Sequence, residues 1–228
     1  MIHLEVPGGG SEVLLHSCCA PCSGAVLECL MASGIHPVVF FSNSNIVPRE
    51  EYELRRAELA RYCESLGVTM VDDDYDHDAW LTAVLERDKG ASAERQAELA
   101  SAPERRERCL NCFKFRLKRA AEYAASHGIP VLTTTLASSR WKSLEQVEEA
   151  GNWAVSALSF EEHSGAQRPG VSEGSAPQSD VVSSEQHLLF WPQNWRKGGL
   201  QERRSQIICE QNFYNQNWCG CEFSRKNL

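Results

Sequence analysis

This 228-residue chain has no run of eighteen apolar residues, and its opening, MIHLEVPGGGSE, carries no cationic stretch leading into an apolar one. Membrane spanning and secretion both lack support, and a cytoplasmic location is expected. Positive charge is also short. The formal net charge is −8, which argues against broad nonspecific binding to nucleic acid, because phosphate affinity rests on concentrated Lys and Arg. Phosphate-binding loops are missing as well. Gly8-Gly9-Gly10 lacks a following Gly-Lys-Ser/Thr, and the Ser-Gly-Gly-x-Asp-Ser turn of the nucleotide-binding ATP pyrophosphatases is replaced by His16-Ser-Cys-Cys-Ala-Pro-Cys22. No internal repeat is evident, and the length suits one α/β domain spanning 1–228.

Cysteine, by contrast, is abundant, with ten residues. In a reducing compartment they are not expected to form a structural disulfide framework, which leaves metal binding or redox chemistry. Seven fall into three tight groups: Cys18-Cys19-x-x-Cys22, Cys109-x-x-Cys112 and Cys219-Gly220-Cys221. Thiolates are soft ligands, and folding can bring three short motifs onto one volume. Cys29, Cys63 and Cys209 stand alone in apolar or helical surroundings and read as small buried hydrophobes. Two cysteine pairs also suit tetrahedral zinc, so a non-catalytic zinc protein that binds RNA is the rival reading. Seven ligands exceed the four that one closed zinc site needs.

Alternating patterns predict strands at 12–16, 37–42, 68–71 and 130–135. Helices are expected from residue 21 or 23 to about 33, and over 49–66, 78–87, 104–127 and 144–155. Strand and helix in alternation imply a parallel sheet, with the loops 16–22, 42–48 and 135–142 facing one crevice beyond the strand ends. The segment 156–185, rich in Ser, Gly, Pro, Glu and Gln, reads as a flexible insertion. Between Glu104 and Arg119 seven basic residues stand against two acids. They could offset thiolate charge or meet a polynucleotide backbone, with Arg105, Arg106 and Arg108 as its expected phosphate contacts.

Five segments in order, LLHSCCAPCS (14–23), FFSNSNIVPREEYELR (40–55), RCLNCFKFRL (108–117), TTTLASSRWKS (133–143) and FYNQNWCGCEFS (213–224), make the chain resemble the epoxyqueuosine reductase family of the QueH type. The resemblance spans nearly the whole chain outside 156–185. It implies a Rossmann-like α/β enzyme that reduces the epoxide of epoxyqueuosine in tRNA to queuosine, drawing on an external electron donor. By position, Cys18, Cys19, Cys109 and Cys112 match ligands of a 4Fe-4S cluster. Cys22, together with Cys219 and Cys221 on a C-terminal segment closing the metal site, would hold a mononuclear iron, unless Cys219 and Cys221 form a redox-active disulfide. A different partition, with one of Cys18 and Cys19 and one of Cys219 and Cys221 on the cluster, stays open. Tyr214 and His16 are candidate proton donors. Asn43, Asn45, Glu51, Arg55, Ser139, Lys142, Arg196 and Lys197 are candidate substrate contacts.

Overall fold

A computed structural model describes residues 2–163 and 187–225. Its centre is a five-stranded sheet in the order β3-β2-β1-β4-β5, formed by β1 (Glu12–His16), β2 (His36–Phe41), β3 (Met70–Asp72), β4 (Val131–Thr134) and β5 (Leu189–Phe190). Every pairing is parallel, with Leu14 registered against Val38 on one side and Leu132 on the other. Such a sheet is covered on both faces, so its central strand is a continuous apolar run rather than an alternating one. Accordingly, Val13, Leu14 and Leu15 have no exposed surface.

The helices are α1 (Ala20–Ala32), α2 (Arg49–Leu66), α3 (His77–Val84), α4 (Ala93–Ser101), α5 (Glu107–Ser126), α6 (Leu144–His163), α7 (Leu200–Glu210) and α8 (Glu222–Arg225). Helix α5 packs with α6 and α3 and against β1 and β4, while α1 packs with α2 and α7. Helix α2 has the predicted bounds, ended by Gly67 in the left-handed conformation that a Cβ disfavours.

Several elements depart from expectation. Helix α3 stops at Val84, and Glu86 beyond it is left-handed. Helix α5 begins three residues later than predicted, because Arg105 is left-handed and Arg106 extended. Helix α4, capped by Ser92 and burying only Leu99, was not anticipated. Helix α6 continues to His163, into the segment whose composition suggests irregular structure. The remainder of that segment, 164–185, lies outside the described residues. Among the described residues, no helix is long and apolar enough to cross a membrane.

Candidate metal and redox centre

The first thiol group sits where β1 hands over to α1. Ser17 N–H donates to Phe40 O at 2.9 Å, extending the ladder by one residue. The chain then turns at Cys18, whose N–H donates to Thr135 Oγ1 at 3.2 Å. Cys19 is the extended N-cap of α1, with Pro21 in the first turn. The sulfurs of Cys18, Cys19 and Cys22 all lie within 4.8 Å of one another, a grouping that could hold a metal ion.

Cys109 and Cys112 occupy the first turns of α5, so both groups sit at helix N-termini, where free N–H groups and the helix dipole favour thiolate. Burial opposes this at Cys109. Together with the nearby Cys219 thiolate, it pushes the Cys109 pKa up to about 11.

The third group is held by its backbone. Gly220 O accepts from Val47 N–H at 3.0 Å, and Cys219 O accepts from Arg55 Nη1 at 3.2 Å. Gly220 itself has φ +106, and a Cβ there would stand 3.0 Å from Ile46 and 3.1 Å from the Arg55 guanidinium. Glycine is therefore required between these two cysteines both for conformation and for space. Immediately after them, Phe223 carries the Arg108 guanidinium over its ring at 4.5 Å.

All seven grouped cysteines line one cavity of about 680 Å³. Its wall also presents seven cationic side chains against two carboxylates, Glu104 and Glu202. In a chain of net charge −8, that is a local reversal of sign. Arg116 is buried, donating to Ser42 O at 3.0 Å and to Asn43 Oδ1. Burial works against the Lys142 charge, yet thiolates at Cys219, Cys18 and Cys22 outweigh it and hold its pKa above the ordinary lysine value. Within the thiol groups, hydrogen bonds from Cys19 and Cys22 hold Cys18 well below the usual thiol range. Cys221 does the same for Cys219.

Of the predicted substrate contacts, Asn43, Arg55, Ser139 and Lys142 line this cavity. Asn45 is buried, with an unpartnered Oδ1, and Glu51 is the ion-pair partner of Arg55 at 2.6 Å; neither lines the cavity. Arg196 donates to Ala137 O, Ser139 O and Lys142 O, which makes it a clamp on the loop after β4, and Lys197 is exposed. His16 is fully buried, with Nδ1 on Thr134 Oγ1 at 2.7 Å and Nε2 on Ser42 O at 3.1 Å. Tyr214 is exposed, its hydroxyl donating to Glu51 Oε2 at 3.3 Å. Neither candidate proton donor lines the cavity.

The basic run before and along α5 is not one surface patch. Arg108 is buried and donates to Leu99 O and Ala100 O. Arg119 pairs with Asp73, and Lys114 pairs with Glu149. The sequence allowed this run to offset thiolate charge but did not single out Arg108 and Arg116 as the residues that turn inward. The signal was present, since Arg108, Cys112 and Arg116 recur every fourth residue and share one helix face.

The donor set tests whether a thiolate-bound metal centre fits. Seven soft ligands with three buried arginines, Arg55, Arg108 and Arg116, beside them suit a group of net negative charge. Trp80 Nε1 lies buried in the cavity wall and finds no hydrogen-bond partner among the described residues, leaving a donor for a group bound there, while burial holds the nearby Cys112 thiol above its ordinary pKa. The residues fit.

A profile of the family described as "Epoxyqueuosine reductase QueH" matches residues 13–179 and 176–227. The Haemophilus influenzae protein of that name is 38% identical over 224 residues, covering 98% of this chain and 76% of the relative. The Acinetobacter baylyi protein of that name is 37% identical over 226 residues, covering 99% and 86%. The Thermotoga maritima one is 29% identical over 219 residues, covering 93% and 89%.

Proposed function

Since the chain belongs to the epoxyqueuosine reductase QueH family, we propose that it is an oxidoreductase reducing the epoxide of epoxyqueuosine in tRNA to the alkene of queuosine. The observation that carries this reading is the convergence of all seven grouped cysteines on one cation-walled cavity. The overall conversion takes up two electrons and two protons and releases the epoxide oxygen as water. The electrons come from an external donor.

Cys18, Cys19, Cys109 and Cys112 would hold a 4Fe-4S cluster. Cys22, Cys219 and Cys221 would hold a single iron, or the last two would act as a redox-active pair. When bound, such a centre supplies single electrons at low potential and a Lewis-acidic site. Cys22 approaches Cys18 and Cys19 closely, so the two proposed sites adjoin.

The chain's own side chains do the rest. Lys142 and Arg116 offset thiolate charge in a volume that water screens poorly. Asn43 holds the Arg116 guanidinium by one oxygen and donates to Ser17 O at 2.9 Å, tying the loop after β2 to the cysteine turn. Trp80, Phe113 and Phe223 supply apolar wall that limits water around the thiols. The cavity wall offers Lys142 as a proton donor to the departing oxygen, joined by Cys219 and Cys221 where those two act as a dithiol pair.

The test is iron, zinc and labile-sulfide content of anaerobically purified protein, followed by turnover of epoxyqueuosine-tRNA with a reductant. About five irons and four sulfides per chain, with a reducible cluster signal and formation of queuosine, is the expected result. Zinc without sulfide, persisting after anaerobic reconstitution with iron, would overturn the proposal in favour of a structural metal protein.

A further inference from the structure

The cavity has a rim whose most prominent side chain serves none of the roles described so far. Trp141 lines the cavity and is 61% exposed, whereas Trp80 and Trp195 are each 1% exposed. An indole displayed to water forgoes a large burial gain. The backbone beneath it is nevertheless firmly held. Arg105 donates from Nε to Trp141 O at 2.8 Å and from Nη2 to Arg140 O at 2.9 Å. From the other side, Arg196 donates to Lys142 O at 2.7 Å. Two arginines from distant parts of the chain thus fix a loop that leaves its aromatic ring uncovered. Arg140 lies over that ring at 5.5 Å, and Arg105, Arg140 and Arg204 give the rim its positive charge.

A fixed exposed indole, a guanidinium beside it and a cationic rim match single-stranded nucleic acid, whose bases stack on aromatic planes while its phosphates meet arginine. We propose that Trp141, with Arg140, is a stacking platform for an RNA base flanking the reacting nucleoside, and that it steadies the strand so that the modified base enters the cavity. This rests on the reading of the chain as a reductase of a tRNA-borne epoxide. Because the pinning is already in place, little order has to be imposed when the base arrives.

The experiment compares wild type, Trp141→Ala and Trp141→Phe, each checked for metal content and melting temperature, in binding and turnover of epoxyqueuosine-tRNA. A second tRNA lacks the base on either side of the modified nucleoside. On intact tRNA, Trp141→Ala is expected to weaken binding about ten- to hundred-fold, as loss of one base stack does, with KM rising far more than kcat falls. Trp141→Phe recovers most of the loss. On the tRNA lacking the flanking base, wild type and Trp141→Ala bind alike. Equal binding of intact tRNA by wild type and Trp141→Ala, or losses that simply add when both base and indole are removed, would overturn the platform. Wild-type protein that binds tRNA through Trp141 but forms no queuosine would overturn the reductase reading alone.

Discussion

Lys142 shows how a residue's surroundings, rather than its type, set its work. Read by position as a substrate contact, it also lies close enough to the sulfurs of Cys219, Cys18 and Cys22 for them to stabilise its charge as it stabilises theirs. Lys142→Met removes that charge while keeping most of the volume. The metal-free variant is expected to react with iodoacetamide at these cysteines several-fold more slowly at neutral pH, because less of each thiol is ionised; an unchanged rate would mean that Lys142 does not support the thiolates. His16 gives a second prediction. Burial first, then the Arg116 charge, lower its pKa from 6.5 to about 3. The folded state therefore keeps His16 neutral while the unfolded chain takes up a proton below pH 6.5. Its contribution to stability is whole above that pH and is lost as pH falls from 6.5 towards 3, at up to about 1.4 kcal/mol per pH unit. Denaturant midpoints of the metal-free protein should fall over this window, and His16→Gln should flatten the fall; equal slopes would reject the assignment. The cysteines were legible because spacing alone announces them. His16 and Tyr214 were not, because adjacency to a motif says nothing of which way a side chain points.

At the scale of elements, the parallel sheet and the loops around its crevice were readable from alternating apolar runs and their Gly and Pro boundaries, as with Pro48 and Gly67 around α2. Helix α4 was not, since its nine residues carry Leu99 as their single large apolar side chain, the rest of that face being alanine. Strand β5 was missed because it is two residues long and takes its place from β4, with Val131 opposite Leu189. Its packing is specific even so. A Cβ on Gly151 of α6 would fall 2.2 Å from Phe190 Cζ, so the helix lies directly on the ring. Gly151→Ala is expected to destabilise the fold by about 1–3 kcal/mol, the usual range for overpacking. Phe190→Ala in the same chain should then cost less than it does alone. Strictly additive losses in chemical denaturation would contradict the contact.

For the molecule as a whole, the informative quantity is where charge lies. A −8 chain has gathered seven cations around its cavity, a contrast that attracts an anionic polymer to one face and repels it from others. The sequence disclosed a basic run but not its division into buried Arg108 and Arg116, ion-paired Lys114 and Arg119, and rim-facing Arg105. Charge reversal at Arg108 would therefore disturb packing before it reported on RNA. Arg140→Glu and Arg204→Glu are the informative changes. Each is expected to weaken tRNA binding and to reduce the slope of log K against log salt by about one; slopes equal to wild type would remove those arginines from the interface.

The three thiol groups are contributed by parts of the chain far apart in synthesis. At about 5–20 residues per second, a ribosome needs roughly 5–20 s to travel from Cys112 to Cys219. During that interval the nascent protein already displays Cys18, Cys19, Cys22, Cys109 and Cys112, while the segment that pairs with Val47 and Arg55 has yet to be made. An incomplete ring of reduced sulfurs is open to any thiophilic ion that reaches it first. Under the proposed partition, the four cluster ligands Cys18, Cys19, Cys109 and Cys112 are all made before this interval begins, whereas the adjoining site is complete only once Cys219 and Cys221 arrive.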